Sequence, residues 1–351
     1  MRIAYVPNSY NLLHAADRRR FVHFANQEKI SFEKFNKSKH FDLIIVTIAA
    51  NFYEILFYKK KYPSVKIIFD YCDDLLSDSF FKKLIRPLYE CFKWKSIKNF
   101  RSFDNLVKEV LHISDAIICG SVEQKSNLSF YNTSIFVIPD FVINETFFKK
   151  DDFKLLNDKK INILWEGLSG GLKIIIEDLC KYIQNLDTNI SLNIVTDSDT
   201  YLIGDRYIKI QTKSYLQKMS KKYGIEIKFW DWSINNLNKA VKCSDIGLIY
   251  IPKYNKSMNN KPENKLVLLS SFRLPTIVSS TPSYRRYIYS AGGEELHSLL
   301  TDFTKSNVKN LFKNENLRSN IGNSLYNYAL KEYTEEKILI KWKNIFQVFL
   351  S

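Results

Sequence analysis

Two sets of short apolar runs constrain the fold of this chain more than any other feature of its sequence. Each set holds five runs in which polar and apolar residues do not alternate, and a stretch with helical spacing follows each run. Such runs are typical of parallel strands covered on both faces, and strands separated by helices form βαβ units. The first set comprises Ile3–Pro7, Phe41–Ile48, Val65–Tyr71, Asp115–Ser121 and Ser134–Phe141; the second comprises Ile161–Gly167, Ser191–Asp197, Ile225–Trp232, Asp245–Pro252 and Leu274–Ser279.

A charged segment without a strand pattern, NETFFKKDDFKLLNDKK, separates the two sets, and 351 residues are enough for two domains. We therefore predict an α/β protein of two doubly wound domains that face each other across a cleft. The N-terminal domain would span 1–143, a linker 144–160 and the C-terminal domain 161–330. The apolar side of 331–351 predicts a helix that packs back across the domain junction. Ligands of such sheets bind beyond the carboxyl ends of the strands, and clefts between domains are preferred sites.

The net charge of the chain is strongly positive, because 52 Lys and Arg stand against 37 Asp and Glu, which leaves +15. Such a chain attracts anions: nucleic acid, an acidic membrane surface or phosphorylated ligands. The excess is concentrated in 79–101, SFFKKLIRPLYECFKWKSIKNFR, where basic residues interleave with aromatic and apolar ones. This composition is typical of a helix that lies on an anionic membrane surface. The alternative is a core helix with a solvated basic edge.

Signals for secretion, membrane spanning and metal binding are missing from the sequence. No early apolar run resembles a signal peptide, and no run approaches the roughly 20 apolar residues that span a bilayer. The five cysteines form no CxxC pair and the five histidines no HxxxH pair. We expect a cytoplasmic protein with buried thiols, no metal and no cofactor.

Two strand-to-helix junctions in the second set carry lysines. In INILWEGLSGGLK a strand ends at Glu166, and a small-residue loop with Lys173 leads into a helix. In NNKPENKLVLLSSFRLPTIVSS, Pro262 suits the first turn of a helix that is apolar nearly all round. Lys261 and Lys265 lie in or beside that turn, where the helix dipole disfavours cations.

A helix start favours a bound phosphate, and glycines let the backbone approach it. Two such starts, each with a lysine, therefore suit a diphosphate. The alternatives are a tight turn that binds nothing and lysines that extend to solvent.

The stretch NKLVLLSSFRLPTIVSS, preceded by KCSDIGLIYIP, resembles the donor-binding region of GT-B glycosyltransferases, especially the large retaining family four. Those enzymes commonly show an aspartate-started strand that ends near a proline, then a helix start, and a small-residue helix that ends in GxPVVAS. The segment DAIICGSVEQKSNL…IFVIPDFV likewise resembles the end of their first domain. The matching residues of the donor region are Asp245, Ile246, Gly247, Pro252, Lys265, Pro275, Val278 and Ser279.

The resemblance implies the GT-B fold and a nucleotide-sugar donor on the second domain, with Lys265 and Lys173 stabilising the departing diphosphate. The paired glutamates of the family would fall on Asn260 and Leu268 in this sequence, and neither residue can hold a ribose as a carboxylate does. Glu263 is near enough to substitute for one of the two glutamates. Of an expected Arg-x4-Lys pair only Lys173 remains, and Arg273 stands where the family usually has glycine. The implied donor-binding residues are Gly167, Ser169, Gly170, Gly171, Glu263, Asn264 and Lys265.

Charged residues after the strands of the first set are candidates for the acceptor side. In NSYNLLHAADRRRF, His14 and Asp17 are the acid–base candidates for catalysis, and Arg18 is one of three arginines suited to a phosphate. Asp73 and Asp74, in FDYCDD, either orient an acceptor hydroxyl or cap the next helix. The sequence TDSD, 196–199, contains a DxD motif, which binds a metal–diphosphate in the other glycosyltransferase fold. We favour a simple Asp-rich turn there.

The resemblance and the lysines at the two helix starts predict a metal-independent glycosyltransferase that uses a nucleotide-sugar donor. The resemblance and the basic surface imply that the acceptor is a glycan or lipid-linked molecule in surface-polysaccharide assembly, such as O-antigen, capsule or lipopolysaccharide. We expect the enzyme on the inner face of the cytoplasmic membrane, with no nucleic-acid partner. Two alternatives stay open: another nucleotide-sugar enzyme of this fold, such as a sugar 2-epimerase, and a non-enzymatic protein that binds nucleic acid or other anions.

Overall fold

The computed structural model describes residues 1–77, 83, 101–143, 146–186, 188–203, 207–252, 259–301 and 305–350. The chain divides into two compact units. Unit 1 contains Met1–Val142, Lys256–Pro262 and Tyr333–Ser351, and unit 2 contains Ile143–Asn255 and Glu263–Glu332. The segment predicted to be a linker therefore groups with unit 2 and the C-terminal helix with unit 1. Most of 79–101, the candidate membrane segment, lies outside the described residues.

Two wholly parallel sheets and one hairpin contain the strands of the described residues. The first sheet has the order β2-β1-β3-β4-β5-β6 and the second β11-β8-β7-β12-β13, while β9 and β10 pair antiparallel. Each of the ten predicted runs forms a strand of a parallel sheet. The strands are β1 (Ile3–Val6), β2 (Glu33–Lys34), β3 (Leu43–Thr47), β4 (Lys66–Tyr71), β5 (Ala116–Cys119), β6 (Ile135–Val137), β7 (Ile161–Glu166), β8 (Ile190–Thr196), β9 (Asp199–Ile203), β10 (Tyr207–Gln211), β11 (Glu226–Asp231), β12 (Ile246–Ile249) and β13 (Thr276–Val278).

Helices alternate with the strands, as βαβ units require. Several begin at a side chain that caps the first turn: α3, α4, α5 and α8 each start at an Asn or Ser whose oxygen accepts a hydrogen bond from the N–H three residues on. The helices are α1 (Ala15–Arg18), α2 (Phe21–Gln27), α3 (Phe52–Lys61), α4 (Phe103–Ile113), α5 (Val122–Leu128), α6 (Ser169–Gln184), α7 (Thr212–Tyr223), α8 (Ile234–Lys242), α9 (Asn264–Ser271), α10 (Pro282–Thr301), α11 (Lys305–Lys313), α12 (Glu315–Glu332) and α13 (Glu335–Leu350).

The C-terminal helix α13 completes the core of unit 1. Its side chains Trp342 and Phe346 are buried against Phe21 and Phe24 of α2, and the ring centroids of Phe24 and Trp342 lie 5.4 Å apart. This is the apolar side that helical spacing predicts. Within the described part of the chain, no helix is both long enough and apolar enough to cross a lipid bilayer.

Helix α9 begins later than the sequence suggests. Its N-cap is Glu263, so Pro262 precedes the helix instead of lying in its first turn. Pro262 packs closely on Gly120, where a Cβ would collide with the proline ring. Lys261 consequently lies outside the helix, and Lys265 is the second helical residue.

Arg273, which stands where the resemblance leads us to expect a glycine, lies in the turn from α9 to β13. Arg273 has a φ of 55°, a left-handed conformation that glycine adopts at the least steric cost. Its side chain offsets this cost with contacts that glycine lacks: Nε donates to Asn323 Oδ1 at 3.1 Å, and Nη1 forms an ion pair with Asp151. Arg273 thus holds a backbone conformation that glycine would adopt more easily, and its side chain contacts α12 and the segment before β7.

Candidate functional site

The Lys265 ammonium group lies at the carboxyl end of β7. Its Nζ donates a hydrogen bond to the backbone oxygen of Glu166 at 3.1 Å and lies 4.8 Å from the ring centroid of Trp165. A Cβ on Gly167 would collide with this Nζ, so the glycine leaves the space that the ammonium group occupies. The structure thus brings together two residues predicted for the donor site.

The start of α6 follows Gly167 directly. The N-cap Leu168 makes no side-chain capping bond, and the N–H of Gly171 donates to the Leu168 oxygen at 3.0 Å. Gly170 borders open space, because a Cβ there would meet nothing within 4 Å. Lys173 lies one turn further on, on the helix face of Ser169. A helix start carries partial positive charge. We call the start of α6, with Lys265 beside Gly167, the donor corner.

The two carboxylates of the TDSD sequence have separate protein partners. Asp197 Oδ2 accepts a hydrogen bond from the Ser169 N–H at 3.0 Å, and Asp199 forms an ion pair with Lys209 at 2.8 Å. The Ser169 hydroxyl donates to the Asp199 backbone oxygen at 2.8 Å. This turn therefore ties the β9-β10 hairpin to α6. Among the described residues, no group of three or more His, Cys, Asp or Glu is placed to hold a metal ion.

Glu263 holds the start of α9 through a partly buried ion pair. Its side chain is buried, and Oε1 accepts a hydrogen bond from Arg286 Nη2 of α10 at 2.6 Å. A carboxylate engaged in this way does not fit the ribose-binding role suggested for Glu263. Asn264 is half-buried at the first helical position. Arg286 is not among the predicted site residues, although a basic residue in the first turns after the last strand of a parallel sheet is a usable signal.

A second unpredicted contact joins the carboxyl ends of two strands in unit 2. The Trp232 Nε1–H, just after β11, donates to Glu166 Oε1 at 3.0 Å. The Glu166 side chain is thereby oriented beside the donor corner, since its own backbone oxygen binds Lys265. The sequence offered one indication of this contact, because Glu166 is the last residue of a predicted strand.

Asp17, predicted as a catalytic base, has a structural role instead. It is fully buried, and its carboxylate accepts hydrogen bonds from the Tyr5 hydroxyl at 2.6 Å and from both Asn8 and Ser9, each through backbone and side chain. Burial alone would raise the pKa of Asp17, but these hydrogen bonds hold it below its ordinary value. A carboxylate with filled acceptor sites and a lowered pKa is a poor proton acceptor.

His14 is the N-cap of α1, and its Nδ1 accepts a hydrogen bond from the Ala16 N–H at 3.2 Å. In the neutral ring the proton then resides on Nε2, so the nitrogen able to accept a further proton is already engaged. This geometry disfavours His14 as a base, because protonation of Nδ1 would break the cap.

Only one of the three consecutive arginines near His14 is buried. Arg20 Nε donates to both Asp70 oxygens, at 2.8 and 3.0 Å, and Nη1 donates to Asp140 Oδ1 at 2.7 Å. Burial alone would lower the pKa of Arg20, but the charges of Asp70 and Asp140 raise it well above its ordinary value. The cluster ties α2 to the ends of β4 and β6. Arg18, predicted to bind acceptor, lies half-buried in the last turn of α1.

A cavity of about 280 Å³ opens at the carboxyl end of β4, within unit 1. Asp74 accepts hydrogen bonds there from the Tyr71 hydroxyl at 3.0 Å and from Asn260 Nδ2 at 2.8 Å. Gln124 is 2% exposed; its Oε1 accepts from the Gly120 N–H, and its Nε2 has no hydrogen-bond partner within the described ranges. The neighbouring Asp73 forms an ion pair with Lys261 at 3.2 Å.

The fold is similar to that of solved glycosyltransferases. A glycosyltransferase from Rickettsia africae ESF-5 aligns over 99% of this chain and 98% of its own, with 10% identity and a TM-score of 0.57. The lipopolysaccharide outer core galactosyltransferase WaaB, in its apo form, aligns over 99% of both chains, with 12% identity and a TM-score of 0.56. The N-terminal domain of trehalose-6-phosphate phosphatase from Candida albicans aligns over 93% of this chain and 73% of its own, with 10% identity and a TM-score of 0.53.

Neither a family model nor a curated protein matches the sequence significantly, so membership of family four stays a prediction. Both parallel sheets, with helices between their strands, agree with the structural neighbours over nearly the whole chain. The chain therefore has the GT-B fold.

Proposed function

We propose that this protein is a glycosyltransferase that moves a sugar from a nucleotide-activated donor to a glycan or lipid-linked acceptor. One observation carries the proposal: the Lys265 ammonium group lies against Gly167 at the carboxyl end of β7, beside the start of α6. A cation next to a glycine-rich helix start suits a diphosphate. The neighbouring structures include two glycosyltransferases, one of them a lipopolysaccharide galactosyltransferase, which supports this substrate class.

In the proposed reaction the bond between the anomeric carbon of the sugar and the diphosphate oxygen breaks. The nucleoside diphosphate departs with both bonding electrons, and the acceptor hydroxyl oxygen bonds to the anomeric carbon as its proton is released to a base. Negative charge grows on the leaving diphosphate, where Lys265, Lys173 and the α6 start stabilise it. Because this positive charge comes from the protein, we propose that the transfer needs no metal ion.

The cavity of unit 1 is our candidate for the acceptor site. Its walls combine the Asp74 carboxylate, the Asn260 and Gln124 amides and the Tyr71 hydroxyl with the apolar side chains of Leu76 and Leu128. Hydroxyl groups of a sugar satisfy such carboxylates and amides. The buried Gln124 Nε2–H would gain an acceptor, and an unsatisfied buried donor is costly.

We further propose that the enzyme works in surface-polysaccharide assembly and lies on the inner face of the cytoplasmic membrane through 79–101. Basic and aromatic residues of that segment support the idea. Flotation with anionic and with neutral vesicles tests it. We expect recovery with anionic vesicles alone; equal recovery with both, or none, refutes it.

A thermal-shift panel of nucleosides, nucleoside diphosphates and nucleotide sugars tests the proposed activity, with and without EDTA. We expect one nucleoside diphosphate and its sugar to raise Tm, and the rise to survive EDTA. A protein that responds to no nucleotide but retains nucleic acid would favour the non-enzymatic alternative. Product analysis with the best donor separates transfer from epimerisation.

A further inference from the structure

A cationic cavity lies in unit 2, at the end of the sheet opposite the donor corner. Its volume is about 730 Å³, within the range of ligand pockets. We call it the basic groove; its cationic residues are Lys154, Lys159, Lys160, Lys309, Lys313 and Arg318. Asp158 and Glu315 supply the acidic side chains of the lining, so positive charge predominates.

The basic groove is separate from the donor corner. It is bordered by Ile161, the first residue of β7, whereas the donor corner begins at Glu166, the last residue of the same strand. A strand rises about 3.3 Å per residue, so roughly 17 Å separate the two ends. One phosphate group cannot occupy both sites.

A buried guanidinium group strengthens the positive potential of the groove. Arg318 is 3% exposed and donates only to backbone oxygens: Nε and Nη2 to Phe153, and Nη1 to Leu311 and Phe312, at 2.6–3.0 Å. Its hydrogen bonds are thus satisfied by neutral acceptors. Burial lowers the pKa of Arg318, an effect that Asp245 and Glu315 oppose, and a guanidinium stays charged. A buried charge is screened by salt far less than a surface charge.

Most lysines of the groove are not engaged by an acidic side chain of the described residues. Lys160 forms an ion pair with Glu226 outside the groove. For Lys154, Lys159, Lys309 and Lys313, the described part of the chain provides no ion-pair partner. Four lysines line one cavity, and a bound anion would lower the repulsion among their charges. Phosphate groups, with several charges and acceptor oxygens each, fit this requirement best.

We propose that the basic groove binds a ligand that carries phosphate groups, independently of the sugar donor. The ligand is either a soluble phosphorylated molecule or the headgroup of an anionic lipid. Both offer the same chemistry, so the experiment uses one probe for each source.

The soluble probe is inorganic pyrophosphate, titrated calorimetrically into Lys265→Ala protein so that the donor corner contributes little. Adding Lys309→Ala and Lys313→Ala should weaken binding about tenfold, since two cations are lost. Both positions lie in helix α11, where alanine is favourable, so folding should persist, and Tm checks this. The matched control is Lys213→Ala with Lys218→Ala, two exposed lysines of α7 in the same unit.

The lipid probe is vesicles of phosphatidylglycerol and phosphatidylcholine. Flotation compares the recovered fraction of Lys309→Ala/Lys313→Ala with that of wild type and of the control variant; all three carry 79–101 unchanged, so binding through that segment is common to them. Selective loss of pyrophosphate binding supports a soluble ligand, and selective loss of vesicle binding supports a lipid headgroup. If the groove variant and the control bind both probes alike, or if neither probe binds at all, the proposal is wrong. The result is independent of the donor, because a failed nucleotide panel leaves this comparison unchanged.

Discussion

Replacement of Lys265 by alanine tests whether this lysine binds a ligand or has a purely structural role. The variant loses two contacts that stabilise the fold: the hydrogen bond to the Glu166 backbone oxygen and the cation–π contact with Trp165. A hydrogen bond from a charged donor contributes about 1.5–3 kcal/mol, and a cation–π contact about 0.5–1 kcal/mol. Removing a cation from a helix start stabilises the variant by about 0.3–1 kcal/mol, which offsets part of this loss.

We therefore expect Lys265→Ala to lower the free energy of unfolding by about 1–2 kcal/mol, taking the low end for a half-buried group. This corresponds to a fall in Tm of roughly 3–6 °C for a unit of this size. From the sequence alone, the helix dipole suggested no change or a slight gain. The two contacts in the structure reverse that expectation.

The effect on the donor is larger and more specific. A lost charge-assisted bond of about 1.5–3 kcal/mol weakens nucleoside diphosphate binding about 10–150-fold, while binding of the bare nucleoside stays the same. Turnover should fall at least as far, because charge on the leaving group grows in the transition state. Calorimetry with both ligands, well below the Tm of the variant, measures the difference.

Lys261→Ala is the matched control. Lys261 forms an exposed ion pair with Asp73, and such pairs contribute about 0–1 kcal/mol. The diphosphate affinity of the Lys261→Ala variant should equal that of the wild-type protein. If Lys265→Ala binds diphosphate as wild type does, or if both variants weaken it alike, Lys265 is a structural lysine and the donor corner is assigned wrongly.

Three further predictions follow from individual backbone and charge environments. Gly170→Ala should keep Tm or raise it slightly, since the site is open and helical, but weaken diphosphate binding by blocking backbone approach; calorimetry shows this, and unchanged affinity contradicts it. Asp17→Asn should lower the free energy of unfolding by about 3 kcal/mol. The pKa of Asp17 is lowered in the folded protein, so the Asp17 carboxylate stabilises the fold fully above the ordinary carboxyl pKa. This stabilisation is lost as pH falls through the folded pKa. The free energies of unfolding of wild type and variant, measured by urea titration, should therefore converge in acid. Arg273→Gly should be more stable than Arg273→Ala by about 1 kcal/mol, since both lose the side-chain contacts and only glycine relieves the positive φ; equal midpoints contradict this.

The strands were predictable because parallel strands buried on both faces leave continuous apolar runs. β2 has only two residues, and β9 and β10 form an antiparallel hairpin outside the two parallel sheets, so the two sets of apolar runs do not include these strands. The pairing of Gly167 with Lys265 was also within reach of the sequence. Residues 166 and 265 are separated by 99 positions, but strand-to-helix turns of one parallel sheet meet at one edge.

The roles of individual charged side chains were not predictable in the same way. His14 and Asp17 have the chemistry of a catalytic pair, yet the structure turns both towards their own loop and helix, where they act as hydrogen-bond acceptors. Glu263 has the chemistry of a ribose ligand, yet Arg286 engages it from another helix. The sequence shows which residue types follow each strand, whereas the hydrogen-bond partner of each side chain depends on how the side chains pack.

Hydrogen exchange of the wild-type protein with and without its preferred nucleoside diphosphate tests the donor corner most directly. We expect slower exchange at the starts of α6 and α9, in peptides that cover 166–173 and 263–267, because a bound diphosphate would cover and stabilise these two helix starts. Unit 1 should change little around Asp17. Protection elsewhere in the chain, with unchanged exchange at both helix starts, would contradict the central claim.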